Sequence, residues 1–502
     1  MIACVDSSRG IGFENTIPWH VPEDMKHFVD TTSNHICVMG RNTYLSIKDR
    51  YFPLCNRISV VVTASENMDA FYASNEFVKT DIEKGAALFV SPQKLNDMLT
   101  LLKAAHPSMK IFIIGGEMLY SSFIDYEHLN KIHITQLAFA KNQTPSTTCK
   151  FPKIPATFEI QSCTPFQKSS RGDISYTFID YVRKTKTATD IDTDREYFRV
   201  AKKILTDGQF RDERTGTGTA AIFGEQMRFN IKDSIPILTT KRVPWKSCIE
   251  ELLWFLQGDT DSKHLSEKGV HIWDGNSSRD FLDKNNLVHL EEGDCGANYS
   301  FQWRHFGKKY SDKNEDYSSS DKSLGKHSRG VEVGDQIAYV IDLLQNDPYS
   351  RRIFMSAWNP VDIFNTCLPP CHVSTQFFVS DDATGSIDGT GRKMLSCHMY
   401  QRSCDFFLGV PWNILSYAIL TYILAKKCNM EPCELVISTG DTHVYKNHIM
   451  QINHQMERDS LAAPKLLLSD DIIKKDFKNI SIDDFQMIGY FPHPSIRGEM
   501  AV

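Results

Sequence analysis

The chain has 502 residues, of which 41% are hydrophobic, and a formal net charge of −6 at pH 7. This length predicts two or more compact domains, because single hydrophobic cores stop growing at roughly 250–300 residues. The hydrophobic share excludes extensive disorder, and the mild negative charge gives no electrostatic reason to expect nucleic acid as a partner.

Thirteen cysteines are scattered along the chain without paired spacing. The first residues, "MIACVDSSRGIG", lack the basic and apolar stretches of a secretory leader. No window approaches the roughly 18 apolar residues of a membrane-spanning helix. These features predict reduced thiols in a cytoplasmic compartment and no membrane partner.

Short apolar strands alternate with helices in the first part of the chain. The predicted strands are "HICVMG", "RISVVVT" and "KIFIIGG", which are β-branched runs of the buried type. Two of them end in a glycine that opens a helix. Because such sheets bind ligands near helix N-termini beyond their strand ends, the pattern predicts an α/β domain with an anionic cofactor.

The glycines at these two helix starts are candidate ligand contacts. Gly40 would let the backbone approach a phosphate, with Arg41 as a cation at the helix start. Gly115 and Gly116 offer a second close approach. Neither stretch has the spacing of the dinucleotide-binding fingerprint, so ordinary glycine turns remain the alternative.

A predicted helix in "IPWHVPEDMKHFVDTT" carries a carboxylate and an aromatic ring on one face. Pro22 suits a helix start, and Asp24 and Phe28 then lie one turn apart. A carboxylate on an apolar face needs a polar partner or ligand. The alternative is an ordinary first-turn aspartate that interacts with the helix dipole.

Together these motifs make residues 1–183 closely resemble dihydrofolate reductase. The matching strings, in the family's order, are "GIGFENTIPWHVPEDMKHF", "VMGRNTYLSI", "NRISVVVT", "IFIIGGEMLY" and "IHITQL". The resemblance implies an α/β domain with a central mixed sheet that binds NADPH and dihydrofolate.

The same resemblance implies the ligand contacts of this domain. The catalytic Asp24 would hold the pterin edge with support from Thr135, while Phe28 would pack on the folate and Arg57 would bind its glutamate carboxylate. Trp19 matches a family position at the entrance of the ligand pocket. The expected NADPH-binding residues are Ile11, Gly12, Ile17, Gly40, Arg41, Asn42, Thr43, Thr63, Gly115, Gly116 and Tyr120.

A polar, threonine-rich run around residues 183–197 separates the two well-patterned regions. We place the junction at residues 184–194 and the second domain at residues 195–502. Within this domain, residues 307–335 and 380–393 are rich in Ser, Asp, Gly and Lys, and we expect both to be surface insertions.

The stretch "CLPPCHVSTQFF" combines two prolines with a cysteine at a strand entrance. Since proline has no backbone N–H to donate, this pattern predicts a turn that presents Cys371. Cys371 has three interpretations: a buried structural thiol, a metal ligand, or a nucleophile whose pKa is lowered by nearby arginines. The metal interpretation would use Cys367, His372, Cys397 and His398, whose spacing fits no known cysteine pairing.

Arginines recur beside small hydroxyl residues in this region. Arg214 precedes Thr215, Arg351 and Arg352 form a doublet, and Arg402 precedes Ser403. Surface arginines are ordinarily solvated. Several such sites beside apolar strands indicate instead one desolvated dianion, such as a nucleotide phosphate.

Residues 195–502 resemble thymidylate synthase over nearly their whole length, which implies an α+β domain. "LPPCH" matches the family's nucleophile loop, so Cys371 would add to C6 of dUMP. The co-substrate 5,10-methylenetetrahydrofolate would supply both the methylene carbon and a hydride, and the products would be dTMP and dihydrofolate. The resemblance implies no metal in either domain.

Further roles follow from the same resemblance. Glu251 would relay protons through water, in a network with Tyr299 and His443. Trp273, Asp405 and the C-terminal "RGEMAV" would contact the folate. The expected dUMP contacts are Arg214, Arg351, Arg352, Arg402, Ser403, Asp405, Asn413, His443 and Tyr445.

Two departures from the family pattern are visible. The chain reads "GANYS" where the family usually has "GPVYG", and Trp412 stands where phenylalanine is usual. The order of the two domains resembles that of bifunctional enzymes, and we expect a homodimer through the second domain. Two alternatives are open: a dCMP-modifying relative, which an Asp at position 413 would favour, and a chain with one non-catalytic binding half.

Overall fold

The computed structural model describes residues 1–64, 76–140, 143–185, 192–212, 216–317, 324–381 and 391–500. It divides into two compact units, Met1–Lys186 with Ile488–Phe491, and Thr187–Met487 with Pro492–Val502. Part of the predicted junction, residues 186–191, lies outside the described residues. Among the described residues no helix combines the length and apolar character needed to cross a membrane.

The first unit has eleven described strands and five described α-helices. The strands are β1 Ile2–Val5, β2 Gly10–Gly12, β3 Ile36–Gly40, β4 Ile58–Val62, β5 Leu88–Val90, β6 Ile111–Gly115, β7 Lys131–Ala138, β8 Cys149–Lys150, β9 Phe158–Cys163, β10 Gln167–Lys168 and β11 Ser175–Arg183. The helices are α1 Pro22–Thr32, α2 Arg41–Tyr51, α3 Glu76–Glu83, α4 Leu95–Ala105 and α5 Glu117–Phe123, with a 3₁₀ turn at Pro92–Lys94.

The strands of the first unit form a parallel four-stranded sheet, a mixed five-stranded sheet and the short antiparallel pair β2-β8. β5, β4, β3 and β6 pair in that order and are parallel. β1 lies beside β6 and pairs in parallel with β7, whereas β11 runs antiparallel to β7. The three strands predicted from apolar runs are β3, β4 and β6, so the predicted mixed sheet is confirmed.

The second unit is larger and has longer strands. The strands are β12 Gln209–Arg211, β13 Thr219–Asn230, β14 Phe354–Ser356, β15 His372–Asp381, β16 Lys393–Asp405, β17 Glu431–Tyr445, β18 Lys465–Leu468 and β19 Phe485–Ile488. The helices are α6 Thr193–Asp207, α7 Trp245–Gln257, α8 Lys263–Ser266, α9 Asp274–Ser277, α10 Arg279–Lys284, α11 Tyr299–His305, α12 Gln336–Asn346, α13 Gly409–Lys427 and α14 Ile449–Met456. The 3₁₀ turns are Lys446–His448, Asp470–Ile473, Phe477–Asn479 and Ile482–Asp484.

A six-stranded sheet forms the centre of the second unit, in the order β12-β13-β17-β16-β15-β14. α13 is buried over most of its nineteen residues and packs on β16 and β17. A helix that is apolar on all sides belongs inside a core. α7 packs against α13 and buries a carboxylate, Glu251, among apolar side chains. The predicted α+β class is confirmed.

The prediction that residues 307–335 are entirely a surface insertion is wrong for the first part of that stretch. Lys308 and Tyr317 are buried, and Tyr317 packs with Phe301 and Ala297. The composition misled because tyrosine and lysine bury their apolar parts while their polar ends bind nearby partners. Residues 318–323 of this stretch and residues 382–390 of the other predicted insertion lie outside the described residues.

The start of α6 is fixed by a buried carboxylate. Asp194 is completely buried, and its oxygens accept hydrogen bonds from the backbone N–H and hydroxyl groups of Thr239 and Thr240 at 2.5–3.2 Å. Burial raises the pKa of Asp194 to about 6, while the threonine hydrogen bonds oppose that rise. These four bonds connect α6 to the segment that leads into α7.

We expect Asp194→Ala to lower the free energy of unfolding of the second unit by about 3 kcal/mol, because four buried donors lose their acceptor. The measurement is urea denaturation followed by tryptophan fluorescence, since six of the seven tryptophans lie in this unit. Asp207→Ala, at the exposed end of the same helix, is the matched control. Equal midpoints for the two variants would contradict the anchoring role.

Candidate active sites

A cavity of about 1430 Å³ in the first unit brings together most of the residues predicted there. The predicted residues that line it are Ile11, Gly12, Ile17, Asp24, Phe28, Gly40, Arg41, Asn42, Thr43, Arg57, Thr63, Gly115, Gly116 and Tyr120. They come from β2 and the loop after it, from α1, α2 and α5, and from the ends of β3, β4 and β6. The cavity therefore lies where the parallel strands end, as the α/β pattern predicts.

Gly115 and Gly116 lie where two chain segments approach closely. A Cβ atom on Gly115 would lie 2.7 Å from the Thr43 hydroxyl, and one on Gly116 would lie 3.2 Å from it. A Cβ atom on Gly40 would lie 3.7 Å from the Gly116 nitrogen, which is an ordinary contact distance. Both helix N-termini thus open onto the cavity with little side-chain bulk, an arrangement that suits the phosphates of a dinucleotide.

Asp24 lies in the first turn of α1 and faces the cavity. Burial raises the pKa of Asp24, and hydrogen bonds with Thr135 and Cys4 oppose that rise. Thr135 is buried on β7, consistent with the expected support for this carboxylate. Cys4 was missed by the sequence reasoning, because a cysteine on an apolar strand carries no sign of its partner.

Two further cavity residues have defined contacts. The Arg57 guanidinium lies 5.7 Å from the centre of the Phe28 ring and donates to the Thr32 hydroxyl at 3.2 Å. The Tyr120 hydroxyl donates to the carbonyl of Ile2 at 2.7 Å. Trp19 forms a side-chain hydrogen bond with Cys4, which lowers the pKa of that thiol against the effect of burial. Arg57 and Phe28 thus form one continuous wall on the α1 side of the cavity.

In the second unit, the Cys371 turn is held by hydrogen bonds from two directions. The Cys371 backbone N–H donates to the Tyr299 hydroxyl at 2.6 Å, and the His372 N–H donates to it at 3.3 Å. The Arg402 side chain donates to the carbonyls of Pro370 at 2.9 Å and Pro369 at 2.8 Å. The predicted turn at the start of β15 is present, and both prolines act as acceptors.

The Arg402 charge lowers the pKa of Cys371 as expected, but the net shift of this pKa is upward. Burial raises the pKa of this thiol, and it outweighs the opposing effects of the Arg402 charge and the Tyr299 hydrogen bond. The sequence shows that arginines are present, but it does not show how much solvent the fold removes from the thiol.

Glu251 is buried on α7 between two indole N–H groups. Trp273 donates to one carboxylate oxygen at 2.8 Å, and Trp412 donates to the other at 2.6 Å. Burial raises the pKa of Glu251 to about 7, although both indoles stabilise the charged form. A carboxyl group with a pKa near neutrality can both accept and release a proton under ordinary conditions.

Asn413 belongs to a buried amide pair that sequence reasoning missed. The side-chain nitrogen of Gln401 donates to the Asn413 oxygen at 2.9 Å, and Asn413 also forms a hydrogen bond with His372. Burial lowers the pKa of His372 to about 4, which keeps this ring neutral near pH 7. The only sequence signals were that Gln401 adjoins Arg402 and His372 adjoins Cys371.

The remaining predicted residues lie at the ends of β16 and β17. Ser403 and Asp405 pair across the ladder with Asp441 and His443. A ring nitrogen of His443 lies 3.0 Å from a carboxylate oxygen of Asp441. Tyr445 makes an edge contact with the His443 ring, with centroids 5.2 Å apart. These contacts hold the four predicted positions at one end of the sheet.

The predicted arginines divide into three groups. Arg402 lies at the Cys371 turn, whereas Arg351 and Arg352 are exposed in the turn before β14. Arg214 lies outside the described residues. Within the part of the chain that the structure describes, no three His, Cys, Asp or Glu side chains are grouped to hold a metal ion.

Both parts of the chain match known protein families. The family model described as dihydrofolate reductase matches residues 1–183, and the one described as thymidylate synthase matches residues 195–502. Proteins named bifunctional dihydrofolate reductase-thymidylate synthase are similar over the full chain. The one from Paramecium tetraurelia is 38% identical over 100% of this chain and 98% of its own length. The relative from Zea mays is 36% identical over 98% of this chain and 95% of its own length. The relative from Leishmania major is 34% identical over 100% of this chain and 95% of its own length.

We expect Trp412→Phe to raise the pKa of Glu251 above its present value of about 7, because the carboxylate loses the shorter of its two indole hydrogen bonds. The measurement is an infrared pH titration of the protonated carboxyl band. Trp245→Phe, at the first residue of the same helix, is the control and should leave the titration unchanged. An unchanged titration midpoint in Trp412→Phe would mean that this indole does not stabilise the charged form of Glu251.

Proposed function

The chain belongs to the bifunctional dihydrofolate reductase-thymidylate synthase family, and on that premise we propose which of its residues carry each reaction. It methylates dUMP to dTMP with 5,10-methylenetetrahydrofolate and reduces the resulting dihydrofolate to tetrahydrofolate with NADPH. The dCMP alternative and the alternative of a non-catalytic half have no support in the comparisons.

In the reductase half, Asp24 orients the pterin ring of dihydrofolate and assists protonation at its N5. The support is a largely buried carboxylate of raised pKa that lines the cavity. Phe28 packs on the folate, and Arg57 binds its carboxylate. The close glycine approach at Gly115 leaves room for NADPH beside Thr43. When bound, NADPH supplies the hydride.

In the synthase half, the Cys371 sulfur forms a bond to C6 of dUMP while the C5=C6 double bond opens, which makes C5 the carbon nucleophile. The observation that carries this assignment is the convergence of Tyr299 and Arg402 on the Cys371 turn. Since burial raises the pKa of the thiol, the thiolate must be stabilised by a nearby positive charge or hydrogen-bond donor. Arg402 provides the charge, and Tyr299 provides the hydrogen bond. When bound, the folate co-substrate supplies both the one-carbon unit and a hydride, and so becomes dihydrofolate. Glu251 exchanges protons with water beside it.

Arg402 has two tasks in this assignment. A guanidinium group has five N–H donors, and the two proline carbonyls occupy two of them. The others remain for the phosphate of dUMP, together with Arg214, Ser403 and, from a second subunit, Arg351 and Arg352. One side chain thus links phosphate binding to the position of the nucleophile.

Base selection is assigned to Asn413. Gln401 donates to the Asn413 oxygen, which fixes the orientation of the amide. The fixed amide presents a donor and an acceptor edge suited to uracil O4 and N3–H. The ribose contacts are assigned to His443 and Tyr445, and the folate contacts to Trp273 and Asp405.

We also infer a homodimer through the second unit. One face of its six-stranded sheet is covered by α13 and buries alternate residues such as Phe377 and Met399. The opposite face exposes Phe354, Phe378 and Tyr400 by 46%, 67% and 40%. An exposed apolar sheet face is typical of an interface, and a two-fold pairing of such faces buries both copies equally.

We place this enzyme in the cytoplasm. All thirteen cysteines are free thiols in the structure, and unpaired thiols are typical of reducing compartments. The substrates we assign as partners are dUMP and dihydrofolate, and no nucleic acid or membrane is needed for either reaction.

The two activities should separate by mutation, because their assigned residues lie in different units. We expect Cys371→Ser to abolish dTMP synthesis and leave NADPH-dependent reduction of added dihydrofolate unchanged. Near neutral pH, Asp24→Asn should abolish the reduction of dihydrofolate and leave dTMP synthesis unchanged. Dihydrofolate formation and NADPH consumption are followed separately by absorbance. Substantial dTMP synthesis by Cys371→Ser would refute the assigned nucleophile.

Mixed dimers test the shared synthase site. We expect Cys371→Ala chains and Arg351→Glu chains, each inactive alone, to recover activity when their subunits exchange. One site of each mixed dimer then combines an intact Cys371 with an intact Arg351 from the other subunit. With random exchange, about half the dimers are mixed and roughly a quarter of all sites become active.

Mass spectrometry of the intact complex verifies the exchange, and unmixed samples of each variant are the controls. If Arg351 acted within its own subunit, every site would retain one lesion. Exchanged dimers without activity would therefore refute the shared site.

A further inference from the structure

A buried carboxylate just before α11 is bound by a loop from the second unit's predicted insertion. Asp294 is completely buried. One of its oxygens accepts from the Tyr310 hydroxyl at 2.5 Å and from the Gly296 N–H at 2.8 Å, and the other accepts from the Lys313 N–H at 3.2 Å. Tyr310 also shares a hydrogen bond of 2.9 Å with Thr260. This carboxylate therefore depends on the loop for two of its three donors.

The loop that supplies these donors, Lys308–Tyr317, is itself well held. We call it the tyrosine loop. The Tyr317 hydroxyl accepts from the backbone N–H of Ser311 at 2.8 Å, and the Lys308 side chain binds the Tyr317 carbonyl and Glu332. The Tyr310 and Tyr317 rings both make edge contacts with Phe301 on α11, at 5.0 and 4.9 Å. The ring packing fixes where the Tyr310 hydroxyl points.

The segment that follows Asp294 contacts the chain just before the Cys371 turn. The Cys367 N–H donates to the Cys295 carbonyl at 3.2 Å, and the Ala297 N–H donates to the Asn365 carbonyl at 3.1 Å. Gly296 has a φ of 69°, and a Cβ atom there would lie 2.1 Å from the Asn365 carbonyl oxygen. The two segments are therefore in backbone contact four residues before Cys371.

The same segment continues into α11, whose first residue reaches the nucleophile. Asn298 caps this helix by accepting from the Ser300 N–H at 3.1 Å. Tyr299 then accepts from the Cys371 N–H at 2.6 Å. Residues 294–299 thus contact the tyrosine loop at one end and the Cys371 turn at the other.

We propose that Tyr310 is a positioning residue for the synthase nucleophile, acting through Asp294 and Tyr299 on the Cys371 turn. The proposal rests on the assigned role of Cys371 for its effect on dTMP synthesis. Its structural part, that Tyr310 controls the surroundings of the Cys371 thiol, is measurable by alkylation whether or not Cys371 is the nucleophile.

The test variant is Tyr310→Phe in the full-length enzyme, which keeps the ring packing and removes only the hydroxyl. We expect kcat for dTMP synthesis to fall about tenfold, since one hydrogen bond to a buried carboxylate is lost. KM for dUMP should change less than about twofold, because no phosphate contact is altered. Dihydrofolate reduction by the same sample should remain unchanged and serves as an internal control.

The decisive measurement is the rate of iodoacetamide alkylation of Cys371 as a function of pH, followed by peptide mass spectrometry. The Tyr299 hydrogen bond lowers the pKa of this thiol. Tyr310→Phe should therefore move the alkylation profile to higher pH. Cys55, an exposed thiol in the first unit, is the internal standard and should alkylate at the same rate in every variant.

Tyr422→Phe is the matched control for a lost hydroxyl. The Tyr422 hydroxyl donates to the Ile231 carbonyl at 2.7 Å, so this variant also loses one hydrogen bond but should not shift the Cys371 profile. A double variant with Tyr299→Phe completes the test. If Tyr310 acts through Tyr299, the double variant should have the profile and kcat of Tyr299→Phe alone.

Two results would overturn the proposal. One is a folded Tyr310→Phe enzyme whose alkylation profile matches that of Tyr422→Phe. The other is fully additive loss in the double variant, which would mean that Tyr310 and Tyr299 act independently. If Tyr310→Phe does not fold, Thr260→Val replaces it, because it removes the other hydrogen bond of the Tyr310 hydroxyl, and a smaller shift in the same direction is then expected.

Discussion

The synthase site depends on how a turn with two prolines satisfies its backbone polar groups. Pro369 and Pro370 have no N–H to donate, so this turn cannot be held by strand pairing alone. Arg402 binds their carbonyls, and Tyr299 accepts the first two N–H groups that follow. Because both partners come from distant elements, β16 and α11, the turn keeps its shape only when the sheet and the helix are assembled around it.

The sequence predicted the elements whose signals are local. α1, α2 and α5 begin where Pro22, Gly40 and Gly116 indicate, because proline and glycine act on the backbone at their own position. Apolar β-branched runs likewise identified β3, β4 and β6. In the first unit most of the predicted residues also meet at one cavity, since parallel strands end at the same edge of a sheet.

Contacts between distant residues could not be predicted in this way. Trp412 reaches Glu251 from 161 positions away, and nothing near either residue indicates the other. Burial is equally hidden: it reversed the expected direction for the Cys371 pKa, and it placed Tyr317 inside the protein although its neighbours are polar. The unusual "GANYS" run nevertheless keeps Tyr299 on the nucleophile turn, because Asn298 caps the helix there.

Because two indoles contact Glu251, the protonation state of this carboxyl group affects tryptophan fluorescence. Indole emission depends on charge close to the ring, and here a single group of near-neutral pKa lies in hydrogen-bond contact with both Trp273 and Trp412. Gain or loss of one proton at Glu251 changes the electric field at two of the seven tryptophans in the chain. The enzyme therefore contains its own reporter of the protonation state of its synthase site, without any attached dye.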